Sequence, residues 1–81
     1  MFEYDQIYQV HDLKTFLEFL NNLAKDSEEK PEEWQNQSAS QYLESIAGWI
    51  EDYCDKNGTK EFDNLDFVEM AKILYMGKIY E

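Results

Sequence analysis

The apolar positions of this chain recur at two different spacings. Between residues 12 and 25, Leu13, Phe16, Leu17, Leu20, Leu23 and Ala24 follow the three-four spacing of one helix stripe, with Phe19 beside it. Asp12 stands where an N-cap is needed. Between 39 and 55, Leu43, Ala47, Ile50 and Cys54 form a stripe, and Tyr42, Ile46, Trp49 and Tyr53 form a second next to it. That predicts a second helix with a wide apolar face, entered through Ser38 and Gln41 at capping-box spacing. Between 64 and 79, Phe67, Met70, Ala71 and Leu74 make a third stripe that Gly77 continues. Ile73, Met76 and Tyr80 point nearly the opposite way, so this last helix has an apolar second face that something must cover.

Residues 1–10 behave differently. Phe2, Tyr4, Tyr8 and Val10 share one parity, with Glu3, Asp5 and Gln9 on the other. Alternation of that kind predicts extended chain, although Ile7 breaks it. No second strand follows, so the segment reads as an arm laid across helices. The polar stretch 26–37 contains Pro31, which bars a continuous helix, and a solitary Trp34 placed to fold back onto the core. The expectation is an all-α, single-domain three-helix bundle over residues 1–81, with an extended arm over 1–11 and a helical core over 12–81.

Charge narrows the function. The 81 residues carry 18 carboxylates against 7 lysines, a net charge of -11. Phosphate-rich partners repel such a surface, so neither nucleic acid nor an anionic membrane is expected. A basic protein or a divalent cation is. Met1 to Asp5 show no leader pattern and no apolar run reaches spanning length. The single Cys54 permits no internal disulfide, which fits a reducing, cytoplasmic setting.

Catalysis finds little support. His11 is the only histidine and falls at a helix start, while Cys54 lies in a predicted apolar stripe. Neither position demands a Cys–His pair, and no glycine-rich phosphate loop exists. The segment 55–66 does resemble an EF-hand loop: Asp55, Asn57 and Thr59 offer oxygens at alternate positions, Glu61 a carbonyl, and Asp63 and Asp66 fall at the last two ligand positions, with Phe62 at the hydrophobic one. Lys60 replaces the turn glycine and Asp66 the closing glutamate. The other reading is an acidic turn, with a reversal at Asn57-Gly58 and Asp63 capping the third helix. No cofactor other than calcium is suggested.

The ordered elements Trp34-x-Asn36, Tyr42-Leu43-Glu44, Ala47-x-Trp49-x-x-Asp52 and Gly77-Lys78-Ile79-Tyr80-Glu81 resemble an uncharacterised bacterial domain-of-unknown-function family, closely over 34–81 and loosely over the first helix. Phe67 stands where its members often have tryptophan. The resemblance implies no activity. It puts weight on Trp34, Asn36, Trp49, Asp52, Tyr80 and Glu81, and implies a variable segment between the second and third helices. From their chemistry these residues read as architecture: Trp34 as a plug, Asn36 bonding a turn, Trp49 in the core, Asp52 accepting from an indole or pairing with Lys78. The rival is an Asp52–Tyr80–Glu81 cluster at the edge of a groove. Taken together, the chain reads as a non-catalytic protein-binding module, an adaptor or an immunity- or antitoxin-like inhibitor. Weak calcium binding over 55–66 is the alternative, and Ile73, Met76 and Tyr80 are the candidate face for a homodimer.

Overall fold

A computed structural model describes residues 4–80. The protein is all-α: α1 spans Leu13–Glu29, α2 Ala39–Asn57 and α3 Phe67–Ile79, with short 3-10 helices at Tyr4–Gln9, Pro31–Glu33 and Lys60–Phe62. Among the described residues there is no strand. The chain divides into two compact units, Met1–Ala47 and Gly48–Glu81. No described helix is long and apolar enough to cross a membrane.

In the first unit, residues 4–9 wind into a 3-10 helix and are not extended as their alternation predicts. A lone strand leaves its backbone groups without ladder partners, whereas a 3-10 turn closes them locally, as in the Val10 N–H to Ile7 carbonyl bond of 3.2 Å. Tyr4 and Tyr8, spaced by four, then meet edge-on with centroids 6.0 Å apart. Phe2, which shared their parity, lies outside the described residues.

The start of α1 is a complete capping box. The Asp12 carboxylate accepts the Thr15 backbone N–H at 2.8 Å and the Thr15 hydroxyl at 2.7 Å, while the Asp12 N–H donates to Thr15 Oγ1 at 3.0 Å. The Thr15 hydroxyl and then its N–H hold the Asp12 carboxyl below its ordinary pKa. A carboxylate depressed on folding stabilises fully above its unfolded pKa and loses that contribution as pH falls through the folded one. Amide protection of the first α1 turn should therefore be constant near neutrality and fall in acid. Asp12→Asn should flatten the profile, and exchange measured across acid pH checks it.

α1 runs four residues beyond the expected end at 25, to Glu29. Asp26, Ser27, Glu28 and Glu29 carry no apolar signal, yet a helix needs none on its solvent side. The stop is set by Pro31, which disfavours helical backbone at the residue before it. Lys30 accordingly leaves the helix at φ -133°, ψ 57°, and its N–H closes on Asp26 at 2.8 Å.

α2 begins where expected. Ser38 Oγ accepts the Gln41 N–H at 3.2 Å, but the Gln41 side chain reaches one residue further back, to the Gln37 N–H, also at 3.2 Å. In the second unit α2 ends at Asn57, two residues beyond the expected 55, and Gly58 takes the left-handed conformation at φ 81°. α3 starts at Phe67, not 64, because its cap is Asp66 and not Asp63: the Asp66 carboxylate accepts the Glu69 N–H at 3.1 Å.

None of the described side chains is fully buried. Trp49 and Phe67, expected at the centre of aromatic seams, are 57% and 58% exposed. Trp49 is sheltered by two rings of its own unit, Tyr53 and Phe62. α3 spreads its apolar side chains around the helix, interrupted by Glu69, Lys72 and Lys78, and all of its residues are exposed.

Candidate functional site

The first unit holds one well-formed apolar groove. Its walls are Leu20, Leu23 and Ala24 from α1 and Tyr42 from α2, with Trp34 across them, and it encloses about 520 Å³. Trp34 is positioned from both sides. Its indole N–H donates to the Asp26 carboxylate at 2.9 Å, and its ring stacks on Tyr42 at 5.9 Å and 26°. The reversal that brings it there begins at Pro31, whose 3-10 turn closes with the Trp34 N–H on the Pro31 carbonyl at 3.0 Å. Gln37 ties the turn, donating its amide to the Pro31 carbonyl at 2.8 Å and the Trp34 carbonyl at 3.2 Å. Asn36, expected in that role, lines the groove instead. Asp26 and Tyr42 were missing from the expected set of site residues. A signal existed for Asp26 alone, since an indole N–H folded back over α1 needs an acceptor and Asp26 is a carboxylate in the last turn of that helix.

Carboxylates crowd this end of the unit. Asp26, Glu28 and Glu29 occupy the last turn of α1, which contains no basic residue, and Glu32 and Glu33 follow in the 3-10 helix. The C-terminal end of a helix already carries partial negative charge, so the two add. Among the described residues no lysine lies within ion-pair distance of a carboxylate, and the one charged contact is His11 Nδ1 to Asp12 at 3.6 Å. Among the described residues, Lys30 is the one cation within this run, and it makes no ion pair with the carboxylates around it.

In the second unit, Trp49, Tyr53 and Phe62 form an aromatic trio, with centroids 5.1 Å apart for Trp49–Tyr53, 6.4 Å for Trp49–Phe62 and 5.9 Å for Tyr53–Phe62. Tyr53 donates its hydroxyl to Glu61 at 3.0 Å. Segment 55–66 does not take the form of an EF-hand loop. Asp55 and Asn57 remain inside α2, and the left-handed residue is Gly58, two positions before the turn site that Lys60 was expected to fill. Lys60 and Glu61 lie in a 3-10 helix, Asn57 donates to the Tyr53 carbonyl, and Asp66 is spent on the α3 cap. Among the described residues no three histidine, cysteine or acidic side chains gather as a metal would require. Thr59 and Asp63 flank the 3-10 helix as its cap residues, and the Thr59 side chain makes no cap bond.

The remaining expected residues are dispersed. Asp52 has no hydrogen-bond or ion-pair partner among the described residues, neither an indole nor Lys78, whose ammonium lies 5.6 Å from the Tyr75 ring. Tyr80 is 85% exposed, and Glu81 lies outside the described residues. Cys54 is a half-buried free thiol of α2. His11 lies in the first unit, exposed, with its backbone N–H on Thr15 Oγ1 at 2.9 Å.

These features define a small all-α domain whose first unit carries an apolar groove walled by α1, α2 and Trp34. Comparison with family models places it further. Residues 12–81 match a family of unknown function, DUF7660, and the chain belongs to that family. No curated protein and no solved structure matches it.

Proposed function

We propose that this domain works by binding a protein partner that presents a cationic surface, as an adaptor or as an immunity- or antitoxin-like inhibitor, without a catalytic step of its own. The observation that carries this reading is the run Asp26–Glu33, five carboxylates against the single Lys30 with no ion pair among the described residues, reinforced by the negative end of α1. Long-range attraction from such an edge raises the rate at which a basic partner is met and orients it on arrival. A cytoplasmic setting accommodates its single free thiol.

The test is capture from an extract of the source cell, on immobilised wild-type chain and on a variant carrying Glu28→Lys, Glu29→Lys, Glu32→Lys and Glu33→Lys. The wild type should retain a discrete partner at low salt and lose it at moderate salt. The variant should associate with the purified partner roughly tenfold or more slowly. A partner retained equally by both chains, at either salt, removes the acidic edge from the account.

A further inference from the structure

The reversal after α2 brings a chemically reactive pair to a helix end. Of the five asparagines, Asn21, Asn22, Asn36, Asn57 and Asn64, Asn57 alone is followed by glycine. That order matters because a peptide nitrogen can attack the carboxamide carbon of the residue before it and close a cyclic imide. A glycine nitrogen is the least hindered attacker, since no Cβ stands beside it, and its backbone reaches the angles of the ring most readily.

The folded chain holds both groups back from that reaction. Asn57 is the last residue of α2, and Gly58 follows it as a left-handed cap at φ 81°. The Gly58 N–H donates to the Cys54 carbonyl at 2.8 Å, so the attacking nitrogen keeps its proton and its place in the helix end. The Asn57 carboxamide donates through Nδ2 to the Tyr53 carbonyl at 3.2 Å, which draws it back toward the preceding turn. Both acceptors lie in the last turn of α2 itself, so the restraint is local to that helix. A helix end is also where local opening is easiest.

We propose that Asn57 is a deamidation site, closed while the α2 cap holds and open when the cap frays. The Gly58 nitrogen bonds to Asn57 Cγ and gives up its proton. The Cγ–Nδ2 bond breaks, and the departing amide takes up a proton to leave as ammonia. Water then opens the imide at one of its two carbonyl carbons. Opening at Cγ yields aspartate. Opening at the main-chain carbon yields isoaspartate, with the side-chain carbon now in the backbone. Either product puts a carboxylate at the negative end of α2, where charge and helix repel, and loses the Nδ2 bond to Tyr53. The isoaspartyl chain also displaces Gly58 from Cys54 by one backbone atom. Modification thus undoes the cap that delays it.

Ageing the full chain at mildly alkaline pH, followed by peptide mass analysis, tests this. The peptide containing Asn57 should gain the mass by which a carboxyl exceeds a carboxamide, and fragmentation should show aspartyl and isoaspartyl forms. In guanidinium chloride Asn57 should convert roughly tenfold or more faster than in the folded chain, because both cap bonds are gone. The other four asparagines should remain amides over the same period. Gly58→Ala, compared in guanidinium chloride so that folding plays no part, should slow conversion by roughly tenfold or more. Amide exchange at Gly58 should quicken in the folded isoaspartyl chain. Equal rates for folded and unfolded chain overturn the proposal, because the cap would then gate nothing. Conversion of Asn57 no faster than that of the other asparagines, or untouched by Gly58→Ala, overturns it as well. So does an isoaspartyl chain whose Gly58 amide is as protected as before.

Discussion

Replacing Trp34 with alanine should lower the free energy of unfolding by about 2–3 kcal/mol. Truncating a fully buried tryptophan costs roughly 3–5 kcal/mol, and Trp34 is half-buried, which reduces the share due to apolar burial. Two specific contacts raise it again: the indole N–H to the Asp26 carboxylate at 2.9 Å and the stack on Tyr42. Trp34→Phe keeps a ring for the stack and loses only the N–H, and should cost about 1 kcal/mol. Urea unfolding followed by circular dichroism gives both numbers. Equal midpoints for the two variants would show that ring stacking contributes nothing. A phenylalanine variant as stable as wild type would remove the Asp26 bond from the account.

The same tryptophan shows how far the sequence is readable. Its isolation in a polar stretch announces a plug, and Pro31 announces the turn that delivers it. The partners, Asp26 and Tyr42, were hidden because one looked like part of a polar linker and the other like part of a helix stripe. Local rules read well where the partners are local: Asp12 with Thr15 and Ser38 with Gln41 sit three apart and act as caps. They fail where two local solutions compete. Tyr4 and Tyr8 share a strand parity but are equally an i, i+4 pair, and without a neighbouring strand the helical turn wins. Asp63 and Asp66 both precede α3, and the residue that caps is the one three before a free N–H, at Glu69. The oxygens of 55–66 have the alternate spacing of a calcium loop, but α2 continues through the first three of its positions. Helix geometry then turns those side chains around a cylinder and not toward a common centre. Helix identity is a periodicity and survives context, whereas the exposure of Trp49 and of α3 depends on what each face meets, which periodicity does not encode.

The acidic character acquires meaning only through position. Carboxylates scattered over a surface would raise solubility and little else. Five in eight residues, at the negative end of α1, have a direction. Their mutual repulsion and the unfavourable helix-end interaction work against the fold. That cost is offset by the proline-set turn, the Gln37 bonds and the Trp34–Asp26 bond, which pin the segment although its charges repel. A segment held in place against its own electrostatics is ready to meet positive charge without paying for ordering on contact.

Phe62→Ala should destabilise the second unit by about 2–3 kcal/mol, although no residue of the trio is fully buried. The Phe62 ring stands edge-on to Tyr53 at 88° and to Trp49 at 79°, arrangements that each add about 0.5–1.5 kcal/mol to simple area burial. It also anchors the turn after Gly58 to α2, since the 3-10 helix Lys60–Phe62 has only its own short bonds to hold it, Phe62 N–H to the Thr59 carbonyl at 2.9 Å and Asp63 N–H to the Lys60 carbonyl at 3.2 Å. Phe62→Leu restores most of the apolar volume and none of the ring geometry, so it should recover about half of the loss. Trp49 emission should shift toward the solvent value in Phe62→Ala, and amide exchange over 59–63 should quicken in both variants. Were leucine to restore full stability, the trio would be an apolar cluster in which ring orientation is incidental. Were alanine to leave exchange over 59–63 unchanged, the turn would be held by its backbone alone and Phe62 would not be its anchor.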